Sequence, residues 1–203
     1  MEAQPPSRSV RLTVLTLLDR LEPTPALVVA PHGDVLACTR GFRGLAAPTG
    51  LFDAAEPNIV RFVFGDERAR AAFPDWDRVA DERAAALRAA ADLGDHTAAA
   101  LAAELSITVG TRFARRYAAG GALPPATGVE EWSHPSAGVL RLAFEGLLLP
   151  GPEEHRLVAY LPADAATAEA LAGLEEPALA GTGQRRHAGG AAPLAANQAI
   201  QRR

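Results

Sequence analysis

The side chains with chemical reach are scattered along this chain. Histidines stand at positions 32, 96, 134, 155 and 187, and the only cysteine is Cys38. Those spacings do not suggest a metal site, and a single cysteine excludes both an internal disulfide framework and a cysteine zinc site. There is no Gly-x-Ser-x-Gly elbow, no Walker loop, no dinucleotide Gly-x-Gly-x-x-Gly and no His-Glu-x-x-His helix. Nothing in the order of residues assembles a nucleophile, a base and an orienting group, so binding is expected rather than catalysis, with no cofactor. Two polar side chains suit recognition. Arg61 can meet a ligand carboxylate or pair with a nearby acidic side chain. His134, followed by Pro135 just ahead of an apolar alternation, can aim an imidazole into a pocket or serve as a loop histidine at a strand entrance. Cys38 follows an apolar run and reads as a buried thiol behaving as a small hydrophobe.

The elements that must position these groups are legible from period and punctuation. In SVRLTVLTLLDRLEP, Val10, Val14, Leu17, Leu18 and Leu21 fall three and four apart, which is an amphipathic helix, and the residue before Pro23 ends it. PALVVAPHGDVLACT is two apolar runs around Pro31-His32-Gly33-Asp34, a tight hairpin. RGFRGLAA can make one or two helical turns, Asn58 can cap NIVRFVFG, and Asp66 can cap ERARAAF. Pro74 suits the first turn of the next helix. That helix gathers Trp76, Val79, Ala80, Leu87 and Ala91 on one face, so Phe-Pro-Asp-Trp reads as a corner pinned by two aromatics. Two further helices follow, the second stopped by Gly120-Gly121, and ALPPATGVEEWSHPSAG reads as a loop. VLRLAF alternates and HRLVAYLP returns, predicting an antiparallel pair across the turn at Pro150-Gly151-Pro152. AATAEALAGL is a last helix, capped by Asp164 or Thr167.

A chain of 203 residues holds one domain with a real core. We expect a leader at 1–8, a domain at 9–175 and a disordered tail at 176–203, and the mixture of helices and hairpins is an α+β fold whose hairpins join in one sheet. The net charge is −4 and all 20 basic residues are arginine. Paired arginines at 115–116, 185–186 and 202–203 are the only dense basic groups, which argues against nucleic acid as a main partner. No apolar run approaches the roughly 20 residues of a membrane helix and MEAQPPSRSV lacks a signal peptide's apolar core. The expected location is the cytoplasm, without a membrane partner.

Several segments, in order, carry a resemblance: PTPALVVAPHGDVLA, PNIVRFVFGDERARAAFPDW, AELS, TRF and HPSAGVLRLAFEGLLLPGPEEHRLVAYLPAD with the closing AEAL. From about Ser9 to Leu174 the chain resembles the MmyB-like ligand-binding domain of bacterial transcription regulators. The resemblance implies a PAS-like antiparallel sheet covered by helices around an apolar cavity, and a small, fatty-acid-like ligand. Family members carry an XRE-type helix-turn-helix, which needs several dozen residues, and only about nine precede the matching region here. The expectation is a ligand-sensing domain whose DNA contact comes through a missing or separate helix-turn-helix, with a homodimer as a further partner. The alternatives are a DNA-binding regulator acting through a dimer or a partner chain, and an enzyme acting on a small apolar substrate. For the cavity we assign Arg61 to an anionic head group, His134 to the strand entrance, and Phe62, Leu140, Leu142 and Phe144 to the apolar lining. Phe73 and Trp76 are assigned to the framework. The chain departs from the family at Cys38-Thr39, at Tyr117 and in the loop AAGGALPPATGVE, where a cavity-lining role would alter volume and polarity.

Overall fold

The computed structural model describes residues 9–151 and 154–175. The expectations for the leader, for Pro152 in its turn and for the tail at 176–203 lie outside the described residues. In chain order the elements are α1 (Leu12–Leu21), β1 (Ala26–Val29), β2 (Val35–Cys38), α2 (Arg40–Ala46), α3 (Ile59–Gly65), α4 (Arg68–Ala72), α5 (Trp76–Asp92), α6 (His96–Thr108), α7 (Thr111–Ala119), β3 (Thr127–His134), β4 (Gly138–Leu148), β5 (Arg156–Pro162) and α8 (Ala165–Glu175). The fold is α+β.

The two hairpins, β1–β2 and β4–β5, join with β3 in one five-stranded antiparallel sheet in the order β2-β1-β5-β4-β3. Strand alternation sends side chains to opposite faces, and the two faces are covered differently. Leu27, Leu140, Leu142 and Tyr160 join the main core with residues of α2 to α8, while Ala26, Val28 and Leu157 pack with Val14 and Leu18 of α1. The α1 stripe is narrower than its spacing predicts: Leu17 is 43 % exposed. One helix lying on two strands buries only the residues directly beneath it, and Leu17 points off that line.

Local chemistry sets the joints. Gly33 has φ +95° in the first hairpin's turn, and a Cβ there would lie 2.6 Å from Val60 Cγ2, so the turn needs glycine on both counts. Asn58 caps α3 by accepting from Arg61 N at 2.9 Å, Asp66 accepts from Arg68 N at 2.9 Å, and Asp164 accepts from Thr167 N at 2.8 Å. Pro74 lies just ahead of α5, with Asp75 as the N-cap, so the proline stands outside the first turn where the sequence suggests it. The corner is pinned as expected: Phe73 meets Trp132 edge-on at 4.8 Å, and Trp76 Nε1 donates to Val63 O at 3.0 Å.

The segment read as a loop after α7 contains strand β3, paired with β4 along its whole length from Thr127↔Glu145 to His134↔Gly138. Its inward positions are Glu130, Trp132 and His134. Two of those three are polar, which erases the apolar alternation that would announce a strand.

Candidate functional site: a cleft between the sheet and helix α5

Helix α5 crosses the sheet and carries two stripes. One, including Val79, Ala84 and Leu87, fills the core. The next, at helical spacing, runs Arg83, Ala86, Ala90 and Leu93, and its alanines stop short of the strands. The space left over is a cavity of about 360 Å³, within the range of roughly 300–1,000 Å³ for small-molecule sites. Leu27 and Val29 of β1, Phe144 of β4 and Val158 and Tyr160 of β5 form its sheet wall. Phe144 stands opposite Gly128, where a Cβ would come within 3.1 Å of the ring. That glycine therefore gives the ring its seat. The open end is ringed by leucines that water would otherwise disfavour: Leu93, Leu123 and Leu148 line it and are 78 %, 59 % and 63 % exposed.

The closed end is polar. Glu130 of β3 is buried, accepting from Trp132 Nε1 at 3.1 Å and from the Tyr160 hydroxyl at 3.3 Å. Arg83 of α5 approaches it with Nη2 4.0 Å from a carboxylate oxygen, beyond hydrogen-bond length. Arg83 Nε is buried with no hydrogen-bond partner. Burial and then the Glu130 charge push the Tyr160 hydroxyl well above the ordinary tyrosine range, so it stays a donor. The charged lining residues are Glu82, Arg83, Glu130, Glu154 and Arg156, and of these Arg83 faces Glu130 with donor capacity unused.

A second polar cluster braces the cavity's edge. His32, in the β1–β2 turn between the lining residues Pro31 and Gly33, places Nε2 3.3 Å from Asp34 and Nδ1 3.0 Å from Asp95. Asp95 also caps α6 through Thr97 N and Ala98 N, and Asn58 Nδ2 donates to His32 O and Asp34. Burial works against the imidazolium, yet hydrogen bonds and charges from the two aspartates outweigh it and raise the His32 pKa above the ordinary 6.5. The first hairpin is in this way clamped to the α5–α6 corner and to the start of α3.

A family model, the MmyB-like transcription regulator ligand binding domain, matches residues 10–174. The chain belongs to this family. Among curated proteins, none matches it. The MmyB-like domain is a ligand-binding domain of transcription regulators, and its described residues include no helix long and apolar enough to cross a membrane. They also include no group of three or more His, Cys, Asp or Glu side chains placed to hold a metal.

Within this MmyB-like domain the six residues assigned from sequence are placed apart. Phe144 is on the cavity wall. Leu140 and Leu142 lie further along the same face of β4, fully buried in the core. Phe62 is buried edge-on against Phe73. Arg61 forms an ion pair with Glu104 of α6 on the surface, both about half exposed. His134 is buried at the end of β3, where Nε2 donates to Gly44 O at 3.3 Å and Nδ1 accepts from Ala137 N at 3.2 Å. The imidazole thus ties the β3–β4 turn to α2. None of these last five lines the cavity.

Among the lining residues, Arg83 and Tyr160 were not singled out from sequence, and Glu130 was reached only as the last residue of the loop AAGGALPPATGVE. Tyr160 had a signal, since it falls on the inward alternation of HRLVAYLP. Arg83 had none, being a single charge on a helix face.

The positions expected from sequence to differ from the family sort by location. Thr39 caps α2, accepting from Phe42 N at 3.1 Å and donating to Thr24 O at 2.8 Å. Tyr117 packs on Phe113. The segment AAGGALPPATGVE alone reaches the cavity, through Leu123, Pro124, Pro125 and its last residue, Glu130.

Proposed function

We propose that this domain senses a small apolar molecule, fatty-acid-like in having an acyl-type chain, in the cleft between the sheet and α5, and that occupancy modulates transcription. The observation that carries the reading is the cavity of about 360 Å³ with an alanine stripe on one wall, apolar strand residues on the other and exposed leucines at its mouth. Of the residues assigned from sequence, Phe144 touches the ligand. Leu140, Leu142, Phe62 and His134 hold the framework behind it, and Arg61 stays in its ion pair. The cavity is bounded by separate elements, so a ligand that prefers one spacing of α5 against the sheet shifts the population toward it. Contact with DNA is assigned to a helix-turn-helix, not to this ligand-binding domain. The role is binding, not turnover.

Native mass spectrometry of the purified protein, followed by solvent extraction, tests this. The expected result is a retained apolar compound, or a melting temperature raised by added acyl-chain amphiphiles; one bound ligand at a hundredfold excess over Kd adds about 2.7 kcal/mol. A protein that retains nothing and melts unchanged with every such compound overturns the proposal.

A further inference from the structure

The closed end of the cleft constrains the chemistry of whatever enters it. Glu130 has a side chain only 4 % exposed, and its surroundings are those of a carboxylate: the Trp132 indole N–H, the Tyr160 hydroxyl and the Arg83 guanidinium all face it as donors. Arg83 and Glu130 cancel in charge without joining, because 4.0 Å leaves them short of a hydrogen bond. Arg83 keeps a buried Nε–H without a partner, and an unpaired buried donor is costly to leave so. Nε itself is covered by protein, so the donors a ligand can reach are the Nη groups of the same guanidinium, on a side chain 24 % exposed, and an acceptor placed there uses that capacity. A ligand carboxylate supplies one, but it would add a negative charge beside the buried Glu130 in a lining that already sets Glu82, Glu130 and Glu154 against Arg83 and Arg156, and an uncompensated buried charge is far more costly than a buried neutral dipole. A neutral group bearing both an acceptor and a donor meets Arg83 and Glu130 together and leaves the end uncharged.

We propose that the buried end of the ligand is an uncharged donor–acceptor group, a carboxamide above all, held between Arg83 and Glu130, with its apolar chain running past Phe144 and Val158 to the leucine rim. Arg83 and Glu130 are then the residues that determine specificity against carboxylates. This rests on the reading of the cleft as the ligand site.

Isothermal calorimetry of the whole purified chain at about pH 8, where an aliphatic acid is ionised, with decanamide, decanol and decanoate, tests it. Decanamide is expected to bind about tenfold or more tighter than decanoate, equivalent to about 1.4 kcal/mol. Glu130→Gln keeps the size of the side chain and an oxygen for the Trp132 and Tyr160 donors while removing the charge. In that variant decanoate gains about tenfold relative to decanamide. Decanoate binding the unaltered protein as tightly as decanamide, or a ratio unmoved by Glu130→Gln, overturns the inference and leaves the cleft as a ligand site. Binding of none of the three overturns the underlying reading and this one with it. Should Glu130→Gln fail to fold, Arg83→Gln at a partly exposed helix position decides: decanamide weakens about tenfold if the inference holds, and an unchanged affinity overturns it.

Discussion

Glu130 and His32 are the two buried polar side chains around which the cleft is organised, and they are stabilised in opposite ways. Glu130 is surrounded by donors from β3, β5 and α5, whereas His32 lies between two carboxylates that favour its protonated form. The His32 clamp has a defined pH dependence. Its folded pKa lies above the ordinary 6.5, so its stabilising contribution is fully present below the unfolded value, about 6.5, and is lost as pH rises through the higher folded value. Replacing it by His32→Gln should lower the melting temperature most in mild acid, with the gap to the unaltered protein narrowing as pH rises above about 6.5. A gap that stays constant or widens with pH, measured by circular dichroism melts, contradicts the clamp.

At the scale of elements, the sheet separates structure from site. Helix α1 covers the β1–β5 part of one face through Val14 and Leu18, and the cleft opens on the other face. Leu18→Ala should cost about 2–3 kcal/mol in denaturant unfolding, as buried leucine truncations do, while ligand-induced stabilisation persists. Loss of ligand response with the fold retained would mean that the two faces are coupled. Apolar period made most elements readable: the α5 stripe, the VLRLAF alternation and the Gly33 turn each rest on several residues agreeing. Strand β3 was hidden because Glu130 and His134 occupy inward positions, so the residue that matters to the cleft is the one that masks its strand. The same cause hid half of the site. Phe144 announced itself as one beat of an alternation, but Arg83 and Glu130 meet only after α5 is laid across the sheet, a long-range fact that no local period carries. For Arg61 the sequence offered both a ligand carboxylate and a nearby acidic side chain, and only the packing of α6 identifies that side chain as Glu104.

Over the whole molecule, the sheet, α5 and the loop holding Leu123, Pro124 and Pro125 enclose one space, and the central claim is that this space is where the domain is occupied and switched. Ala86, half-buried on the cavity stripe of α5, allows that claim to be tested with one substitution. Ala86→Trp fills the cavity from its helical wall without adding volume to the packed core, where overpacking would cost about 1–3 kcal/mol. The measurement is the calorimetric titration of decanol and decanamide into the unaltered protein and into Ala86→Trp, with both melted in the absence of ligand. Both compounds are expected to bind the unaltered protein and neither the variant, with melting temperatures that agree within about 4 °C. Binding that survives Ala86→Trp undiminished would place the ligand elsewhere and contradict the central claim.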